Sequence, residues 1–227
     1  MSTQPPTKNT ESAPKATPEH RKDGFEVVGS DRSLGFNLPQ KMGKTLWAPM
    51  FAMALMAFIA AVILGFVRAD VVNTRPDDAV ALLQLRHVTA AVMFIGFTTV
   101  LSGIAFAIAK ILGTFRDGGG KLQESVLGHV QTLKMPVTAK AMVALMMMGM
   151  MAIIIAVIAH FVAAADTTSA NLASSEQQFA AWEIVRRIGV SLHLVAIAFG
   201  LFTIVHVLRF QAVRIREVAA QRAGGSG

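Results

Sequence analysis

Four of the chain's six histidines, His87, His160, His193 and His206, fall in or beside long apolar stretches whose central parts hold no Asp, Glu, Lys or Arg. Polar side chains inside a bilayer are costly and mark candidate sites. Imidazole in such a place can ligate a haem iron, help hold a softer metal, or hydrogen-bond a neighbouring helix. His160 lies roughly 6 Å inside the end of its apolar run near Ala164, and His193 roughly 8 Å inside the start of the next at Ile188, at ~1.5 Å of rise per residue. The two are therefore expected to face one another as the cofactor-binding pair. The sequence leaves the cofactor unknown, with haem b one group that such a pair could clamp; a metal site could instead draw on His87 and Met93. Hydrogen bonding to a neighbouring helix is the competing structural explanation.

Other constellations carry less. His193 and His206 are thirteen residues apart, which at ~100° per residue leaves them some 140° apart around one helix, too far to line a single face for two haems. The run Met146 to Met151 holds five methionines pointing in every direction, as adaptable packing requires, whereas Cu(I) needs thioethers on one face. Cysteine is absent, which excludes disulfides and thiolate-held clusters. No Ser/His/Asp set, paired carboxylates or HExxH is present to suggest an enzyme.

The elements that position these histidines are membrane helices. The chain is 53% hydrophobic, and its mean hydropathy is +0.53. Apolar runs cover roughly 46–67, 88–112, 137–164 and 188–208, each near or above the ~20 residues a span requires. The runs also repeat. Met56 to Ala69 (MAFIAAVILGFVRA) is echoed by Met151 to Ala164 (MAIIIAVIAHFVAA), Lys41-Met42 by Lys134-Met135, and Leu85-Arg86 by Val185-Arg186. The expected fold is all-α, an integral membrane four-helix bundle made of two tandem transmembrane hairpins. An even number of spans per copy makes the repeats parallel. His160, His193 and His206 stand where the first copy has Gly65, Met93 and Phe106, so these histidines belong to the second copy alone.

The net charge of +7 is distributed by topology. Lys and Arg gather in the N-terminal tail, the middle loop and the C-terminus, while Asp70, Asp77, Asp78, Asp166, Glu176 and Glu183 mark the other two loops. The positive-inside rule then makes both termini cytoplasmic. Arg86, Arg186 and Arg187 are expected at lipid headgroups. Nucleic acid is not an expected partner, since no basic helix is interleaved with aromatics.

Residues 1–23, rich in Pro, Thr, Ser, Lys and Glu, read as a disordered cytoplasmic tail. The first repeat with its lead-in covers 24–112 and the second 113–210. In the second, Asp117 to Gly120 is expected to end a helix, and Leu122, Val126, Val130 and Leu133 to form a separate interfacial helix. Residues 211–227 read as a cytoplasmic tail ending in a Gly/Ser linker remnant. No apolar h-region opens the chain, so the first span is expected to act as a signal anchor, in a membrane of bacterial inner-membrane character.

The functional expectation is a small polytopic, non-catalytic interaction or assembly subunit of a larger membrane complex. Its partners would be the lipid bilayer and other membrane subunits, or further copies of itself. The alternatives are a haem b or metal-binding electron-transfer subunit using the second-copy histidines, and a channel or transporter, which would need a more polar interior.

Overall fold

A computed structural model describes residues 17–22, 24–30 and 36–224. In chain order the elements are β1 (Thr17–Lys22), β2 (Phe25–Ser30), α1 (Leu38–Thr74), α2 (Ala79–Leu127), β3 (Val130–Leu133), α3 (Val137–Asp166) and α4 (Leu172–Gly224). All four helices are long and apolar enough to cross a membrane, so the chain is an integral membrane protein of helical class. The described residues fall into two compact units, one comprising 36–114 and 135–208, the other 17–22, 24–30, 115–134 and 209–224.

The first unit is the helical one. Asn37 starts α1 with a reciprocal cap, its side-chain oxygen accepting from the Gln40 N–H at 3.2 Å while Gln40 Oε1 accepts from the Asn37 N–H at 3.0 Å. Short connections join α1 to α2 and α3 to α4, and short connections make antiparallel neighbours. Asn171 braces the second, its amide donating to the Asp166 carbonyl at 2.8 Å.

The interior is built on seven-residue spacing. On α3 the buried residues Ala139, Met142, Met146, Gly149, Ile153, Ala156, His160 and Ala163 recur in alternating steps of three and four, the seam of a left-handed helix pair. Gly149 and Gly189 let α3 and α4 touch backbone to backbone. A Cβ on Gly149 would stand 2.8 Å from the Gly189 carbonyl oxygen. One core cluster packs Ala105, Phe106, Ile108, Met142, Met146 and Ala196, and a second packs Ala91, Ile153 and Val157.

Burial is unequal among the helices. In the most apolar window of each, 56% of α2 is buried but only 11% of α1. Thus α2 is the central helix and α1 a peripheral one. Gly43 lies against the backbone of Phe106 and Lys110, and the Phe58 ring fills the space over Gly96.

In the second unit β2 is the middle strand of an antiparallel sheet ordered β1-β2-β3, with Val27 opposite Leu133 and Ser30 opposite Val130. Three expectations change here. The helix does not stop at Asp117: α2 runs through Gly118, Gly119 and Gly120 and ends at Leu127, with Gly128 at φ +69° closing it. Glycine in a helix costs about 1 kcal/mol relative to alanine. Close packing offsets this at Gly119, where a Cβ would collide with the Gln211 and Arg214 side chains. Asp117 and Lys121 add an ion pair at 2.9 Å across the glycines.

Second, the separate interfacial helix is not formed, because Val130 and Leu133 belong to β3, whose residues alternate between buried and half-buried. Third, the stretch expected as a C-terminal tail continues α4 to Gly224. Its buried Phe210, Arg214 and Val218 hold it in this unit. Of the expected N-terminal tail, residues 17–22 form β1, while 1–16 and 23 lie outside the described residues, as do the linker residues 225–227.

Candidate functional site

The helical unit gathers its polar side chains near the end that carries the α1-α2 and α3-α4 connections. His87 projects from the first turns of α2, His160 from the last turns of α3, and Ser175, Phe179 and Arg186 from the first half of α4. All five are buried, His87 and His160 completely. The two imidazoles meet directly, Nδ1 to Nδ1, at 2.9 Å. His87 Nε2 lies 3.3 Å from the Ser175 carbonyl oxygen, which can only accept.

These partners assign the tautomers of a neutral pair. His87 carries its proton on Nε2 and donates it to Ser175, so its Nδ1 must accept from the Nδ1–H of His160. His160 Nε2 is then a bare lone pair. It is buried and has no hydrogen-bond partner.

The Phe179 ring is the hub around which the cations and imidazoles are arranged. Its centroid is 5.1 Å from that of His87 and 5.2 Å from that of His160. The Arg86 guanidinium lies over it at 4.0 Å, and that of Arg186 at 5.4 Å. Arg186 also covers the Phe94 ring at 4.2 Å. Only 3% of Arg186 is exposed, and its Nε and Nη1 make no hydrogen bond. Aromatic faces, together with the Glu183 carboxylate three residues back, stabilise this cation.

His193 sits elsewhere. Its Nδ1–H donates to the Gly189 carbonyl one turn back at 3.0 Å, in the space that Gly149 leaves open. Its Nε2 is buried and unpartnered. With Gly149 opposite Gly189, antiparallel counting separates His160 from His193 by some 20 Å along the bundle, at ~1.5 Å per residue.

The expected pairing of His160 with His193 is therefore replaced by His160 with His87. Two axial nitrogens of one haem stand about 4 Å apart, at ~2 Å from the iron, and the His160 and His193 positions do not meet that condition. The reason is the length of α4, which begins at Leu172, sixteen residues before the apolar run counted from Ile188. The His87 and Met93 combination is not assembled either. Met93, six residues on, points about 120° away from His87 around the helix and is exposed on the bundle surface.

Of the three arginines expected at headgroups, Arg86 and Arg187 are exposed, the latter paired with Glu183 at 2.5 Å. Arg186 is the correction. One residue of helical phase, ~100°, turns it inward while Arg187 faces out.

Hydrogen-bonding partners account for most of the remaining buried hydroxyls. Thr98 and Thr99 donate to the Phe94 and Ile95 carbonyls of their own helix, each at 2.8 Å. Thr203 reaches Thr138 across the α3-α4 interface at 2.8 Å. Among the described residues, no group of three or more His, Cys, Asp or Glu side chains could hold a metal ion. No protein-family model, curated protein or solved structure matches the chain.

Proposed function

We propose that the chain is a non-catalytic subunit that assembles with other polypeptides, or with further copies of itself, into a larger membrane complex. The observation that carries this reading is the unequal burial of the helices. Only 11% of the most apolar window of α1 is buried, against 56% for α2. The exposed apolar side chains there include Met56, Ile59, Ile63 and Phe66. Such a flank suits helix-helix association by close van der Waals contact.

The histidine and arginine cluster serves as a clasp in this reading. The His87-His160 contact ties α2 to α3, the bond to Ser175 ties α2 to α4, and the Arg186 cation bridges aromatic rings of α2 and α4. The hydroxyls of Thr98, Thr99 and Thr203 bond to carbonyls of their own helices, which spends them on structure rather than on lining a conduction route. The MAFIAAVILGFVRA echo supports an origin by tandem duplication with two parallel hairpins, and the gathering of Lys and Arg in the tails and middle loop supports both termini on the cytoplasmic side of a bacterial inner membrane. Arg86 and Arg187 would then meet lipid headgroups on the opposite side.

Photo-crosslinking residues placed singly at Ile59, Ile63 and Phe66 in native membranes test the proposal. Adducts with polypeptide are expected from at least one position. Adducts with lipid alone from all three would overturn it.

A further inference from the structure

In the sheet-bearing unit, three buried nitrogen donors face one interface without an acceptor. Arg116, Gly119 and Gln123 lie three and four residues apart on α2 and so share a face. Opposite them on α4 is Arg214, whose guanidinium lies where a Cβ on Gly119 would be. Arg214 is only 3% exposed, and Gln123 is fully buried.

Part of this chemistry is satisfied within the fold. Arg214 Nη2 donates to the Gln131 carbonyl, and its Nη1 donates to Gln211 Oε1 at 3.4 Å. Gln123 Oε1 accepts from the Gln131 N–H at 3.0 Å, and Gln211 donates to the Phe115 carbonyl at 2.9 Å. What is left over is Arg116 Nε, Arg214 Nε and Gln123 Nε2, all buried and unpartnered. All three are donors, and two belong to permanent cations. Among the described residues neither arginine has a carboxylate in ion-pairing range, since nearby Asp117 is held by Lys121 and Glu26 by Lys134.

Two neighbouring guanidiniums without an acid, that of Arg214 buried and that of Arg116 half-buried with its Nε enclosed, are unfavourable alone and suited to an oxyanion with several acceptor oxygens. The geometry points to Arg116, Arg214 and Gln123 as a binding site for one phosphate-bearing anion. The sharp partition of donors from acceptors supports this, because a second carboxamide or a water would satisfy the amide but not neutralise the cations. Phosphate fits the planar forks of arginine better than a point charge would. Its source is either the headgroup of a phospholipid or a soluble phosphate compound.

The test uses the full chain in lipid nanodiscs, with native mass spectrometry to count retained phospholipid and thermal unfolding to follow added pyrophosphate. One phosphate-bearing molecule per chain is expected, as retained phosphatidylglycerol if the source is lipid, or as stabilisation by pyrophosphate in phosphatidylcholine discs if it is soluble. Arg116→Gln should weaken that binding about ten-fold, the loss of a charge-assisted bond. Arg214→Gln should do the same, while Arg222→Gln, which removes an exposed charge of the same sign, should not. Among the described residues the Arg116 side chain has no hydrogen-bond partner at its buried Nε, so its variant keeps the test informative if Arg214→Gln fails to fold. Neither lipid retention nor pyrophosphate stabilisation in the parent protein would overturn the site. So would an Arg116→Gln variant that binds as the parent does.

Discussion

Replacing Gly149 by alanine is expected to destabilise the helical unit by about 3 kcal/mol, the upper range for overpacking a close contact. The added Cβ would stand 2.5 Å from His193 Nδ1 and 2.8 Å from the Gly189 carbonyl oxygen. Neither neighbour can easily yield, because the His193 ring is itself bonded to that carbonyl at 3.0 Å. The same change at Gly65 should have the opposite sign. Nothing lies within 4 Å of its Cβ position, so alanine there gains helix propensity worth up to about 1 kcal/mol. Reversible unfolding of the two variants in mixed micelles checks the pair, and effects of equal sign would contradict the α3-α4 crossing.

His160→Leu is expected to cost about 2 kcal/mol, because it leaves His87 Nδ1 buried with no donor. His87→Leu alone should cost a similar amount by orphaning His160. The double variant removes both polar partners and should cost clearly less than the sum, with a coupling of about 1–2 kcal/mol. Additive losses would mean that the two rings do not share the 2.9 Å bond that joins α2 to α3. Adding His193→Leu should then contribute independently, since its only bond is to its own helix.

The spans were legible because each holds an apolar run long enough to cross a bilayer, a property that needs no tertiary information. The ends of the helices were not. The first four turns of α4 carry Ser174, Ser175, Glu176, Gln177 and Gln178, which hydropathy reads as loop although the backbone is helical. That omission shifted His193 against His160 by most of the length of a short helix.

The inward face of α4 did leave a signal. Phe179, Arg186, His193 and Gly200 are each seven residues apart, so the phase that buries His193 also buries Arg186. Its neighbour Arg187 drew both arginines toward the headgroups instead. In the sheet, Asp23-Gly24 is a two-residue hairpin signature, and Gly24 has φ +84°, but the polar TPEHRK before it carries no strand pattern. Val126, Val130 and Leu133 fit a helical step as well as a strand, and over so few residues periodicity does not separate the two.

The mass of the particle that holds the chain tests the central claim most directly. Extracted with its surrounding lipid by an amphipathic polymer and measured by native mass spectrometry or mass photometry, the 24.2 kDa chain is expected in a stoichiometric assembly with other polypeptides or with copies of itself. Substitution of Ile59 and Ile63 by bulky Trp on the uncovered flank of α1 should release it without loss of helix content. A particle containing one chain and lipid alone, unchanged by those substitutions, would contradict the account.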